Sequence, residues 1–266
     1  QRVDNLDDMT RKVLHFASVL GESFKIREMV EISEHILNIP QKDKEDHFYA
    51  IQDALSAAVE DGILYEIVLD EESVDEERDK IKSMLIRVDS KEDFEDETEN
   101  RRVYSFCHST WKRLILSLLL DSWKRDIHKH AAMAIEARSP DANSRDYRTK
   151  VKLFQHWKSS ENTVKAADLA LNIGQSYKML GLNLHSIKVY DDALNMWRKV
   201  QPDEEEDLIA GISPDVLDSL DEENLILMIK LLTMFGQALG TAYMEKRSAR
   251  AFEDALAVSI QDLLIL

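Results

Sequence analysis

The sequence predicts a mainly α-helical chain with one small β-hairpin in its first half, and three observations carry that prediction. Seven glycines and four prolines in 266 residues are too few to turn a chain between the many short strands of an all-β protein. Apolar residues recur at three- and four-residue spacing through most of the length, as on one face of a helix. Two short runs alone, residues 63–69 and 103–106, concentrate β-branched, aromatic and aliphatic side chains in stretches too short for helices.

In the first half, residues 8–20 set Met9, Val13, Phe16, Ala17 and Leu20 at helical spacing, and Gly21 stops the helix. A second helix fits 25–37 through Ile26, Met29, Val30, Ile32 and Ile36, ended by Ile39-Pro40 because proline disfavours helix in the residue before it. A third covers 46–60 with Phe48, Ile51, Leu55 and Ala58 on one side, and Asp61-Gly62 supplies the turn into the first strand. Residues 70–100 are rich in Asp and Glu and read as a solvated insertion between the strands. Three helices followed by a two-stranded hairpin is the order of a winged-helix-like unit, assigned to residues 1–108.

Residues 109–138 read as one long helix or a bent pair, through Trp111, Leu114, Leu118, Trp123, Ile127, Ala131 and Ile135. Ser139-Pro140-Asp141 breaks it, and another helix spans 145–158. Beyond it, Gly174, Tyr177, Ser186, Tyr190, Ala193 and Leu194 recur 62 residues later as Gly236, Leu239, Ser248, Phe252, Ala255 and Leu256. Glycine, aromatic and alanine spaced over two helices resemble the tetratricopeptide repeat, in which small residues let paired helices approach and an aromatic fills the gap. The offset exceeds the 34 residues of that repeat, and the acidic stretch 201–223 accounts for the surplus. The plainer alternative is a set of ordinary helical hairpins with Gly and Ala at close crossings. Residues 109–266 are thus read as a helical array of tetratricopeptide-like units, whose use is a concave surface for another protein segment. The start at Gln1 suggests an excised piece, and the apolar residues Ile260 and Leu263–Leu266 suggest a further repeat beyond the last one.

Fifty-one acidic against 34 basic residues, a formal charge of −17, repel phosphate backbones and anionic lipid. Residues 46–60, where a DNA-binding winged helix carries its reader, hold Asp46, Asp53 and Glu60 and no arginine, so nucleic acid is not expected as a partner. No membrane insertion is expected either: the longest apolar stretch, 114–120, is interrupted by Ser117. No signal peptide is read at the amino terminus, and the single cysteine fits a reducing compartment, so the cytoplasm is the expected location.

The segment from Leu6 through Ala17-Ser18-Val19-Leu20-Gly21-Glu22-Ser23-Phe24, the later Asp61-Gly62-Ile63-Leu64, Phe106-Cys107-His108 and Arg125-Asp126-Ile127-His128 together resemble the winged-helix region that follows the ATPase core of STAND-class signalling ATPases. The nearest group is the ATPase portion of soluble adenylyl and guanylyl cyclase-related proteins, where tetratricopeptide-like helices follow in the same order. The resemblance implies a non-catalytic regulatory piece that relays nucleotide state through domain packing. ATP or ADP with magnesium would then be held by the parent protein, because no Gly-x-x-x-x-Gly-Lys-Ser/Thr loop occurs in this chain and no cofactor is expected in it. The expected partners are other protein segments or the adjacent ATPase domain. The acidic insertion departs from the short hairpin of that family. Two rivals stay open: a stand-alone tetratricopeptide-type adaptor, and an enzyme with its site in the array.

His108 is the nucleotide-sensing candidate, since the resemblance places a histidine at this strand-to-helix junction within reach of nucleotide phosphates, and an imidazole can donate to phosphate oxygen near neutral pH. The alternative is that His108, Ser109 and Thr110 only start a helix by capping it. His128 and His130, two residues apart, face different sides of a helix and do not suggest a metal site with His156. Cys107 is expected to be a buried, inert thiol. No catalytic residue is assigned.

Overall fold

The computed structural model describes residues 6–37, 39–68, 102–140, 145–198, 220–242 and 244–265. The acidic insertion expected at 70–100 and the acidic stretch 201–219 lie outside the described residues, as do the side chains of the apolar tail from Ile260 onward. The fold is mainly helical with a small antiparallel sheet, and the chain divides into two compact units, Gln1–Ala134 and Ile135–Leu266.

In the first unit α1 (Asp8–Leu20) starts at Asp7, whose carboxylate accepts the Thr10 amide at 2.8 Å and also bonds the Thr10 hydroxyl. Those bonds hold the Asp7 carboxyl below the usual range. Gly21 ends the helix at φ 143°, a backbone conformation that L side chains rarely adopt. β1 (Ser23–Lys25) and α2 (Ile26–Leu37) follow, then a 3₁₀ turn at Gln41–Asp43, α3 (Lys44–Glu60), β2 (Leu64–Val68) and β3 (Arg102–Phe106). The sheet order is β1-β3-β2, all antiparallel, with Phe24 opposite Tyr104 and Tyr104 opposite Glu66. β1 is an addition to the expected hairpin: three residues acquire strand pairing because β3 supplies partners, with Ser23 and Ser105 bonded through their hydroxyls and Phe24 stacked on Tyr104 at 6.1 Å.

The predicted 109–138 stretch is a pair, α4 (Ser109–Leu118) and α5 (Asp121–Arg138), split where Leu119 turns extended at φ −78°, ψ 137°. Ile115, Leu119, Ile127, Ala131 and Ala134 join Val13, Phe16, Leu55, Ile63 and Phe106 in one buried core. The first unit therefore runs past residue 108 to Ala134, because α4 lies against α1 and completes its cover.

The second unit holds α6 (Tyr147–Ser159), α7 (Thr163–Met179), α8 (Asn183–Arg198), α9 (Glu222–Thr241) and α10 (Glu245–Ile265). Asp146, Asn162 and Asp221 cap α6, α7 and α9 by accepting backbone amides three residues on. α6 packs on α7, α7 on α8, α8 on α9 and α9 on α10, and α7 also meets α9. The α9–α10 hairpin thus lays its first helix on both helices of the α7–α8 hairpin. Glu136 anchors the start of the unit, accepting Trp157 Nε1 at 3.0 Å and Lys165 Nζ at 2.7 Å while that ammonium sits 4.2 Å from the Trp157 ring centroid.

One expectation is corrected by α9. Its 20 residues are long and apolar enough to cross a bilayer, which residues 114–120 are not. Packing explains that composition: Leu225, Met228, Leu231, Leu232, Phe235, Ala238 and Leu239 are all buried, with α7, α8 and α10 against the helix.

Candidate functional site

The His108 junction is fixed by backbone bonds at the end of β3. Phe106 N–H donates to the Glu22 carbonyl at 3.2 Å and Cys107 N–H to the Ile63 carbonyl at 3.0 Å, tying the strand end to the turns before β1 and β2. His108 then takes the N-cap position of α4 in extended geometry, its carbonyl accepting Trp111 N–H at 2.9 Å, and its side chain makes no capping hydrogen bond. Cys107, His108, Ser109 and Thr110 are all exposed. The thiol expected to be buried is instead at the surface, because β3 ends one residue earlier and the chain must leave the sheet to begin α4. An exposed imidazole beside the unpaired amides of a helix start can donate to an anion brought by another domain.

Of the other histidines of the first unit, His35 is exposed, whereas His15, His47, His128 and His130 are at least partly buried. His47 Nε2 lies 2.8 Å from Ser33 Oγ, and since the Ser33 proton is committed to the Val30 carbonyl at 2.8 Å, the ring nitrogen is the donor. Burial pushes the His128 imidazole down to about 4, and burial is also the largest cause lowering His15, His47 and His130. Among the described residues no group of three or more His, Cys, Asp or Glu is placed to hold a metal ion.

In the second unit the signature residues meet as pairs across each hairpin. Gly174 on α7 faces Tyr190 on α8 so closely that a Cβ there would lie 2.3 Å from Tyr190 Cζ, and Gly236 on α9 faces Phe252 on α10, where a Cβ would lie 3.1 Å from Cζ. Ser186 Oγ donates to the Gly174 carbonyl at 2.9 Å, and Ser248 Oγ donates to the Gly236 carbonyl at 2.8 Å. Ala193 and Ala255 are buried at matching positions. The turns match as well: Leu182 N–H bonds the Tyr177 carbonyl and Met244 N–H the Leu239 carbonyl, both at 2.9 Å. The 62-residue repeat is therefore a repeat of contacts, and the serine locks are a part of it whose role spacing alone does not give. Tyr177 itself is half-buried, edge-on to Tyr147 at 5.2 Å and beside His185 at 5.2 Å.

One feature of the first hairpin has no counterpart in the second. The α7–α8 turn exposes Met179 at 83%, Leu180 at 70%, Leu182 at 42% and Leu184 at 65%. The equivalent turn is built with Thr241, Ala242, Met244 and Lys246 and the same backbone bonds. Turn geometry does not require the four large apolar side chains, so their exposure within six residues is a feature of the side chains and not of the turn. The signal was available in the sequence as Met179-Leu180-Gly181-Leu182-Asn183-Leu184, a turn region without charge.

Comparison with protein-family models, with curated proteins and with solved structures finds no match to this chain.

Proposed function

We propose that the chain is a non-catalytic regulatory and protein-interaction piece of a larger signalling ATPase, relaying nucleotide state by domain packing. The observation that carries the interaction part is the exposed apolar α7–α8 turn, which the second hairpin shows to be dispensable for the fold. The nucleotide part rests on the resemblance of the first unit to the winged-helix region of STAND-class ATPases, cyclase-linked ones among them, and is supported by the exposed His108, whose side chain makes no cap bond. In this reading ATP or ADP with magnesium belongs to the parent's ATPase domain, and the protein works in the cytoplasm.

A stand-alone adaptor would use the same apolar turn but leave His108 without a task. A DNA-reading role draws no support from α3, whose exposed positions include Glu45, Asp46, Asp53 and Glu60, while Lys44 is paired with Glu34 at 2.7 Å. An enzymatic site in the array would need polar groups converging on one cavity between the helices, and the serines buried there, Ser186 and Ser248, are bonded to the glycine carbonyls.

The test is ADP release from the parent protein. His108→Ala is expected to speed release of labelled ADP roughly tenfold or more, about the loss of one charge-assisted hydrogen bond, with the melting profile of the protein unchanged. Unaltered release would remove the nucleotide link and leave the adaptor reading.

A further inference from the structure

We draw no further inference here: the strongest candidate, the exposed apolar surface patch of Met179, Leu180, Leu182 and Leu184 at the α7–α8 turn, belongs to the site already described, and nothing in the structure shows what covers it.

Discussion

Gly174→Ala is expected to destabilise the second unit by about 1–3 kcal/mol, while Gly236→Ala leaves stability within about 1 kcal/mol of the wild type. Both glycines are buried in helices at the same place in the repeat, so alanine brings the same gain in helix propensity at each. The difference lies in the neighbour. At Gly174 the new methyl would stand 2.3 Å from Tyr190 Cζ and 2.7 Å from its hydroxyl, and Tyr190, 0% exposed, has no solvent side toward which to withdraw. At Gly236 the gap to Phe252 is 3.1 Å, and that ring is 42% exposed and can yield by a few tenths of an ångström. Urea denaturation of the two variants measures the contrast. In a Tyr190→Leu background the penalty at Gly174 should largely vanish, which identifies the ring contact as its source. Equal penalties at the two glycines would mean that the repeated contacts are not equivalent in the way described.

The second large effect is acid lability of the first unit. His128 is held near 4 against an ordinary value of 6.5, with burial as the cause, and His15, His47 and His130 are lowered in the same direction. Each folded-state pKa is depressed, so the unfolded chain takes up protons first as pH falls. The stability these neutral imidazoles preserve is complete above about pH 6.5 and is lost as pH falls from there through about 4. For His128 alone the loss amounts to about 2–3 kcal/mol. The carboxylates with lowered pKa, Asp7, Asp8 and Asp121, act below this window. Melting temperature measured from pH 7 to pH 4 should therefore decline, and His128→Gln should flatten the decline. A His128→Gln profile parallel to the wild type would show that the imidazole is not the group responsible.

Helix periodicity made most of this architecture readable. α1, α3 and α6 follow their apolar stripes, and the capping residue and terminating Gly21 of α1 lie where local chemistry puts them. What escaped reading depended on partners far away in the chain. β1 is three residues whose strand character comes from pairing with Ser105, Tyr104 and Val103. The break at Leu119 has no glycine or proline to announce it; it follows from Leu119 entering the first core while Leu120 points to solvent at 76%. Cys107 reads as a buried thiol because no histidine–carboxylate constellation accompanies it in the sequence, yet the chain leaves the sheet there and the thiol is exposed.

At the candidate site the split is similar. The spacing of Gly174, Tyr190, Gly236 and Phe252 disclosed the repeat, since close helix crossings need a small residue opposite a large ring. Spacing could not show that Ser186 and Ser248 bond the glycine carbonyls, nor that the same aromatic position is sealed in one hairpin and open in the next. Those facts belong to stacking order, which a single sequence expresses only once the helices are placed.

The central claim, that nucleotide state is relayed through this region, is tested most directly by hydrogen exchange on the parent protein loaded in turn with ADP and with a non-hydrolysable ATP analogue. The expected result is a difference in amide protection between the two states at residues 106–111, around His108, and at the α7–α8 turn through Met179–Leu184. Identical protection at both places in the two nucleotide states would contradict a relay, and the chain would then stand as an adaptor whose surfaces are indifferent to nucleotide.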